Sequence, residues 1–439
     1  MSNPQTLDRK LGTVDAVVIG LGSMIGAGVF AAFTPAAQAA GSGMLLGLAV
    51  AAIVAYCNAT SSAQLAAAYP TSGGTYVYGR ERLGPWPGFL AGWGFVIGKV
   101  ASSAAMAMTF AAYAAPPGWE RPVAMAAVVL LVAVNYRGVS RTAALARIIV
   151  VAVLAALALA VAAAWTGSTG LGSTELSSTA PSSSTFLGEG VFSHGWYGIL
   201  QSAGLLFFAF AGYARIATMG EEVRDPRRTI PRAILLSLGI AATIYAGVCI
   251  TLLAILGPDA VASSVAPLAD AVVTGDWAWA APVVRVGAAL ASLGALLALV
   301  AGLGRTSLAM AREGDLPRFM ATVHPKFLVP HQAELLLGAV ICLIIAFADL
   351  RGAIGFSSFG VLVYYLVANV AAFTQSAPDR RYPKFLQVLG AAACVALVAT
   401  LPVEAVLSGL VMFAAGVIFR AARLRRRAPQ NPSPIRGDT

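Results

Sequence analysis

The chain has 439 residues, of which 58% are hydrophobic and 11% charged, with a formal net charge of +10. A soluble globular protein carries about 25% charged residues, so this composition excludes that class and points to a chain whose solvent is lipid. Four cysteines, Cys57, Cys249, Cys342 and Cys394, lie in apolar stretches without a Cys-x-x-Cys spacing, which gives neither a disulfide framework nor a metal site.

Residues 1–12 are polar, and the apolar segment that starts near Thr13 ends without a small-residue cleavage site. It is therefore expected to be a membrane helix and not a removed signal peptide. Within it runs Gly22-Ser23-Met24-Ile25-Gly26-Ala27-Gly28-Val29-Phe30. Glycine weakens a helix by about 0.5–1 kcal/mol relative to alanine, and backbone groups freed in hydrocarbon are costly unless something satisfies them. The run predicts a broken helix whose freed N–H groups take an anion and whose freed carbonyls take a cation or ammonium. Ser23, Met24, Ile25, Gly26, Ala27 and Gly28 are thus candidate binding residues; close packing through small residues is the bland alternative for any one glycine.

The second and third apolar segments start near Gly43 and Trp86. The third holds Lys99, about thirteen residues or roughly 20 Å of helix beyond Trp86. That depth is too great for comfortable snorkelling, and an ionisable residue inside a span reads as functional. Lys99 is the candidate for exchanging a proton, with Ser102 and Ser103 one turn on as candidate pocket walls. Segments four and five start near Pro122 and Leu145, and a Ser-, Thr- and Gly-rich connection follows from Thr166 to His194.

Segment six, from about Gly195, is again interrupted, by Gly204 and Gly212, and carries Arg215 near its end. Matched interruptions at the start of two five-span halves predict an inverted repeat with a site at midplane. Arg215 has Glu221 and Glu222 nearby as candidate partners for a structural ion pair or inner gate. Six further segments start near Pro231, Ala278, His331, Gly352, Phe385 and Glu404. Segment eight offers Ser292 but no hydroxyl pair, which argues against sodium coupling; segment ten supplies Tyr364 as a candidate pocket wall.

The expected fold is an all-α polytopic membrane protein of twelve transmembrane helices. Its parts are an N-terminal segment (1–12), a first five-helix repeat (13–166), an outer loop (167–194), a second five-helix repeat (195–377), two more helices (378–422) and a basic tail (423–439). Arg80, Arg82, Arg137, Arg224, Arg312, Arg381 and the run Arg423 to Arg427 fall in alternate connections, while the opposite connections hold Arg121 and Arg351. By the positive-inside rule the first set is cytoplasmic, and with it both termini. Topology and anionic lipid headgroups account for the net positive charge, so no nucleic-acid partner is expected.

Four motifs carry a family resemblance: GSMIGAGVF in segment one, YPTSGGTYVYGRERLGPWPGFLAGW (Tyr69 to Trp93), FFAFAGYARIATMGEEVRDPRRTIPRAI (Phe207 to Ile234) and AREGDLPRFMATVHPK (Ala311 to Lys326). On these the chain resembles the amino acid permeases of the amino acid–polyamine–organocation (APC) superfamily. The resemblance implies a LeuT-like 5+5 inverted repeat with discontinuous helices 1 and 6. It places the substrate carboxylate on the N–H groups of Ala27 and Gly28, the substrate ammonium on the carbonyls of Met24, Phe208 and Ala211 beside Gly212, and an aromatic lid at Phe208. Two positions depart from the family pattern: an acidic residue of segment six is replaced by Ala214, and a lysine of segment five by Val153.

These readings converge on a secondary transporter in the cell membrane that moves neutral amino acids by alternating access with proton symport, with no cofactor. An amino acid/amine exchanger, a polyamine transporter and a non-transporting sensor are the alternatives. Lys99 and the missing acid at Ala214 disfavour cationic cargo through charge repulsion. No hydrolase or metalloprotease motif is present, so an enzyme is not expected.

Overall fold

Glycine and proline cut the apolar chain into helices at positions where the backbone leaves the helical region. The computed structural model describes residues 11–71, 73–137, 143–166, 189–327 and 329–427. Helix α1 (Thr13–Met24) begins where the Asp15 carboxylate accepts the Gly12 N–H at 3.2 Å. After Ile25 and Gly26 the chain resumes as α2 (Ala27–Ala31) and α3 (Phe33–Ala40), and α4 (Met44–Ala68) follows. A short connecting helix α5 (Gly74–Leu83) ends at Gly84, whose φ of 102° belongs to glycine, and Pro85 opens the 30-residue α6 (Pro85–Ala114). Proline suits that first position because its missing N–H would have no intrahelical partner.

Next come α7 (Glu120–Tyr136), α8 (Ala143–Thr166), α9 (Gly195–Phe210) and the four-residue α10 (Ala214–Ala217), then α11 (Pro226–Ile255). Two short helices, α12 (Gly257–Ser263) and α13 (Pro267–Val273), precede the 32-residue α14 (Ala281–Arg312). The chain ends with α15 (His331–Phe347), α16 (Leu350–Phe373), α17 (Lys384–Thr400) and α18 (Val403–Arg427). Among the described residues the only bridge outside helices joins Leu11 to Val223.

Nine helical stretches among the described residues are long and apolar enough to cross a bilayer, and α15 and α17 are shorter apolar helices. The sequence count of twelve also needs α7, α15 and α17, each of 17 residues. At 1.5 Å per residue these reach about 25 Å, short of a hydrocarbon core of about 30 Å. The connection expected to separate the two halves falls mostly in 167–188, outside the described residues.

Helix α6 is the centre of the bundle and packs most extensively against α16 and α14. Its contact with α16 is backbone on backbone: a β-carbon on Gly94 would lie 2.7 Å from the Gly360 carbonyl oxygen, and one on Gly360 would lie 2.6 Å from that of Gly94. Without a hydrophobic force between helices in lipid, such close approach supplies the packing. Lys99 is the fifteenth of the 30 residues of α6 and is buried.

Candidate functional site

Both glycine-marked segments are interrupted, at Gly26 and at Gly212, whereas Gly204, which the sequence also reads as an interruption, lies inside the unbroken α9, where it makes room for Leu401. In the first, Ile25 (φ −79°, ψ 20°) and Gly26 (φ −73°, ψ −129°) separate α1 from α2. In the second, the α-helical ladder of α9 tightens into a 3-10 turn, Ala211–Tyr213, before α10. The breaks touch each other. A β-carbon on Gly212 would lie 2.3 Å from the Ser23 carbonyl oxygen, one on Gly28 would lie 2.6 Å from the Ala209 Cα, and one on Gly26 would lie 2.4 Å from the Ala295 Cβ. Glycine here permits the crossing of two interrupted backbones.

A cavity of about 920 Å³ opens beside this crossing. Ser23, Phe95, Lys99, Ser102, Phe208, Ala211 and Gly212 line its inner part, and Tyr76, Arg215, Thr218, Glu221, Glu222 and Arg305 line it toward the start of α1 and the end of α14. At the opposite end of the bundle the Tyr113 hydroxyl donates to the Phe30 carbonyl at 3.2 Å, Thr34 to the Ser264 carbonyl at 2.9 Å, and Arg351 to Gln38 and Gln201 at 3.3 and 3.2 Å. None of those seven residues lines the cavity.

The Lys99 ammonium donates to the carbonyl of Ala211 at 3.3 Å and stands 6.0 Å from the Phe95 ring centroid. Ser23 turns its hydroxyl proton back to the Ile19 carbonyl at 2.9 Å, and the Ser102 hydroxyl pairs with Ser357 at 2.6 Å. The residue that sequence reasoning missed is Tyr245 of α11. Its hydroxyl reaches the carbonyls of Met24 (2.6 Å) and Ala209 (3.0 Å), one from each interrupted helix. A single tyrosine in an apolar run gives no signal of this, since the partners are backbone atoms.

Other predicted positions are distributed differently. Ile25 and Val153 line an adjoining cavity of about 310 Å³ between α1, α8 and α14, which shares Ser23, Arg215 and Arg305 with the large one. Met24, Gly26, Gly28 and Ser103 are not among the residues lining the large cavity, and Ser103 donates to the Lys99 carbonyl at 2.9 Å. Tyr364 stands behind Phe95, ring centroids 5.2 Å apart, where its hydroxyl accepts the Thr75 N–H at 3.2 Å near the start of α5. Arg215 donates to the Thr218 hydroxyl at 3.3 Å, and an ion pair on this rim joins Arg305 to Glu222 at 3.7 Å.

Two of the resemblance motifs meet at the same end of the bundle. Asp315 takes Arg80 at 3.1 Å and Arg420 of α18 at 2.7 Å, and accepts the Tyr76 hydroxyl at 2.8 Å. Arg80 also reaches Glu313 at 3.2 Å. Burial, and after it the Asp315 carboxylate, holds the Tyr76 phenol above its ordinary range, so it stays protonated and donating. Arg420, near the end of the last expected helix, is buried between Asp315 and the rings of Trp86 and Phe89, 4.9 and 4.7 Å from its guanidinium carbon.

Comparison with known proteins accords with this geometry. The profile of a family described as amino acid permease matches residues 11–421. An uncharacterized transporter of Mycobacterium tuberculosis is 55% identical over 99% of this chain and 96% of its own length. A branched-chain amino acid permease of Bacillus subtilis is 24% identical over 84% of this chain and 81% of its own. A chloroplastic cationic amino acid transporter of Arabidopsis thaliana is 28% identical over 84% of this chain and 66% of its own.

Proposed function

The chain belongs to the amino acid permease family of the APC superfamily, and from that premise we propose that it moves neutral α-amino acids across the cell membrane by alternating access, as a proton symporter. The observation that carries this reading is the coincidence of the 920 Å³ cavity with the crossing of the two interrupted helices. Interrupted helices at midplane are where transporters of this architecture place substrate, and a cavity that reaches one end of the bundle while hydrogen bonds tie the other is what one limb of alternating access requires. The same reading takes α7, α15 and α17 as the remaining spans of a twelve-helix, LeuT-like 5+5 arrangement. It puts the arginine-rich end and both termini in the cytoplasm, so that this conformation faces inward.

Lys99 is the coupling group in this reading. It is buried at the middle of α6, yet its ammonium borders a cavity that reaches an aqueous face, so it can exchange a proton when the cavity opens. The charged groups on the other cavity walls are Arg215, Arg305, Glu221 and Glu222, and the titratable phenol is Tyr76. A thermal-shift screen of the purified protein against the common amino acids and several amines identifies the cargo, because a ligand of the folded state raises the melting temperature. Uptake of that amino acid into proteoliposomes is then expected to be saturable and concentrative under an imposed pH gradient. Binding without flux would instead assign a sensor, and flux without any response to the gradient would assign an exchanger.

A further inference from the structure

Glu334 lies in the first turn of α15, 3% exposed, and lines neither cavity. Its side chain occupies the room that Gly304 of α14 leaves: a β-carbon on Gly304 would lie 3.2 Å from the Glu334 Oε1 and 3.1 Å from the Pro330 Cγ. Its Oε2 is enclosed, and no donor reaches it among the described residues. An enclosed carboxylate without a donor is costly, and an ionisable residue inside a span reads as functional. A proton on the carboxyl removes the charge and with it the cost.

Arg305, the residue after Gly304, is the cation whose charge bears on this carboxyl. It is turned away from it, with a mostly exposed side chain that lines both cavities and pairs with Glu222 at 3.7 Å. One guanidinium on a long stem thus stands between two carboxyl groups and serves the outer one. Helix α15 packs against α7, α14, α6 and the turn Arg318–Ala321. The other titratable or charged side chains that these bring to this end of the bundle are Arg312, Tyr136 and Arg318, with His324 and Lys326 in the connection and His331 on α15 itself; Pro85 to Gly98 of α6 contains none.

We propose that Glu334 is a proton-binding site of the transport cycle, and that Arg305 is the arm that loads and unloads it. While Arg305 stands on Glu222, Glu334 holds its proton. When the rim rearranges and Arg305 leaves Glu222 for Glu334, the carboxyl gives its proton to water at the rim and the carboxylate pairs with the guanidinium. A cation within 4–6 Å favours the ionised carboxylate strongly, so the swing of one side chain suffices. This inference rests on the reading of the protein as a proton symporter and adds to it a second site. Lys99 borders the cargo and Glu334 follows the state of the rim, and blocking either uncouples uptake from the gradient.

The test follows the carboxyl itself, by infrared difference spectroscopy of the full chain in lipid, titrated in wild type, Glu334→Gln and Glu222→Gln. The carbonyl stretch of a protonated carboxyl should be present in wild type and missing from Glu334→Gln. Glu222→Gln frees Arg305, so Glu334 should bind its proton about tenfold more weakly and its band should fade at lower pH. Adding Arg305→Met to Glu222→Gln should restore the wild-type titration. In proteoliposomes Glu334→Gln should keep counterflow of cargo and lose the response of uptake to an imposed pH gradient. Glu222→Gln leaves Glu334 in place, which covers the case that Glu334→Gln does not fold. An unchanged band in Glu334→Gln, a wild-type titration in Glu222→Gln or a wild-type response to the gradient in Glu334→Gln overturns the inference and leaves the amino acid reading standing. Failure of wild type to bind any amino acid overturns that reading, and with it the place of Glu334 in a cycle.

Discussion

Lys99 and Tyr245 divide between them the task of satisfying the backbone at the crossing, and they are separable by mutation. Tyr245 has one hydroxyl proton for two carbonyls, 2.6 and 3.0 Å away. Tyr245→Phe leaves both without that donor, and an orphaned buried acceptor costs about 1–3 kcal/mol. We expect a lowered melting temperature and impaired transport with the cargo preference of the wild type retained; an unchanged melting temperature would show that the carbonyls find other partners. For Lys99 the transport reading makes a different demand. At substrate concentrations raised to saturate it, Lys99→Ala should show counterflow but no response of uptake to an imposed pH gradient. A response of wild-type size would remove Lys99 from the coupling.

At the level of elements, the two interruptions were legible because glycine is informative where it is least expected. Gly26 in one apolar run and Gly212 in another fall at the interruptions, Ile25–Gly26 and Ala211–Tyr213, whereas Gly22 and Gly28 lie inside the flanking helices. Their packing role was not legible, since which backbone a glycine admits depends on the fold: Gly212 admits Ser23, and Gly28 admits Ala209. The same limit explains Tyr364, placed by sequence at the pocket wall and found holding the start of α5. Arg305 is a further case: it lies far along the chain from Glu222, yet the two pair at 3.7 Å. Proximity along the chain is a weak guide once a helix end turns its side chains in separate directions. Gly212→Ala tests the crossing directly. The added carbon would meet the Ser23 carbonyl at 2.3 Å, and backbone cannot yield as a side chain does. Overpacking of this kind costs about 1–3 kcal/mol. Loss of uptake with a fall in melting temperature is expected, and wild-type uptake would show that α1 and α10 separate freely.

For the whole molecule, the buried pair of Asp315 and Arg420, with the half-buried Arg80, joins α5, the connection after α14 and the last helix α18 beside the cavity mouth. Two of these residues sit in the motifs that carried the family resemblance, so their charges were visible but their meeting was not. Removing one partner of a buried ion pair costs about 3–5 kcal/mol. Asp315→Asn should destabilise the protein by that order in thermal melting, and Arg420→Met added to it should recover part of the loss; independent, additive losses would mean that the two residues do not act as a unit. Sidedness has its own test. In a chain freed of its native thiols, cysteine at Thr306, on the cavity wall, should react with a membrane-impermeant thiol reagent from the cytoplasmic face and be protected from the other. Labelling from the opposite face alone would reverse the proposed orientation.

The size of the cavity carries one more implication. A water molecule occupies about 30 Å³ of liquid, so about 920 Å³ corresponds to on the order of thirty solvent molecules. An amino acid displaces only a fraction of them, and the bundle cannot shut on that side until the others have left. In the proposed transport cycle, opening and closing at this end would thus be a hydration equilibrium as well as a rearrangement of helices. Solutes too large to enter the mouth lower the activity of water outside it and draw the protein towards the shut form, even in the absence of cargo.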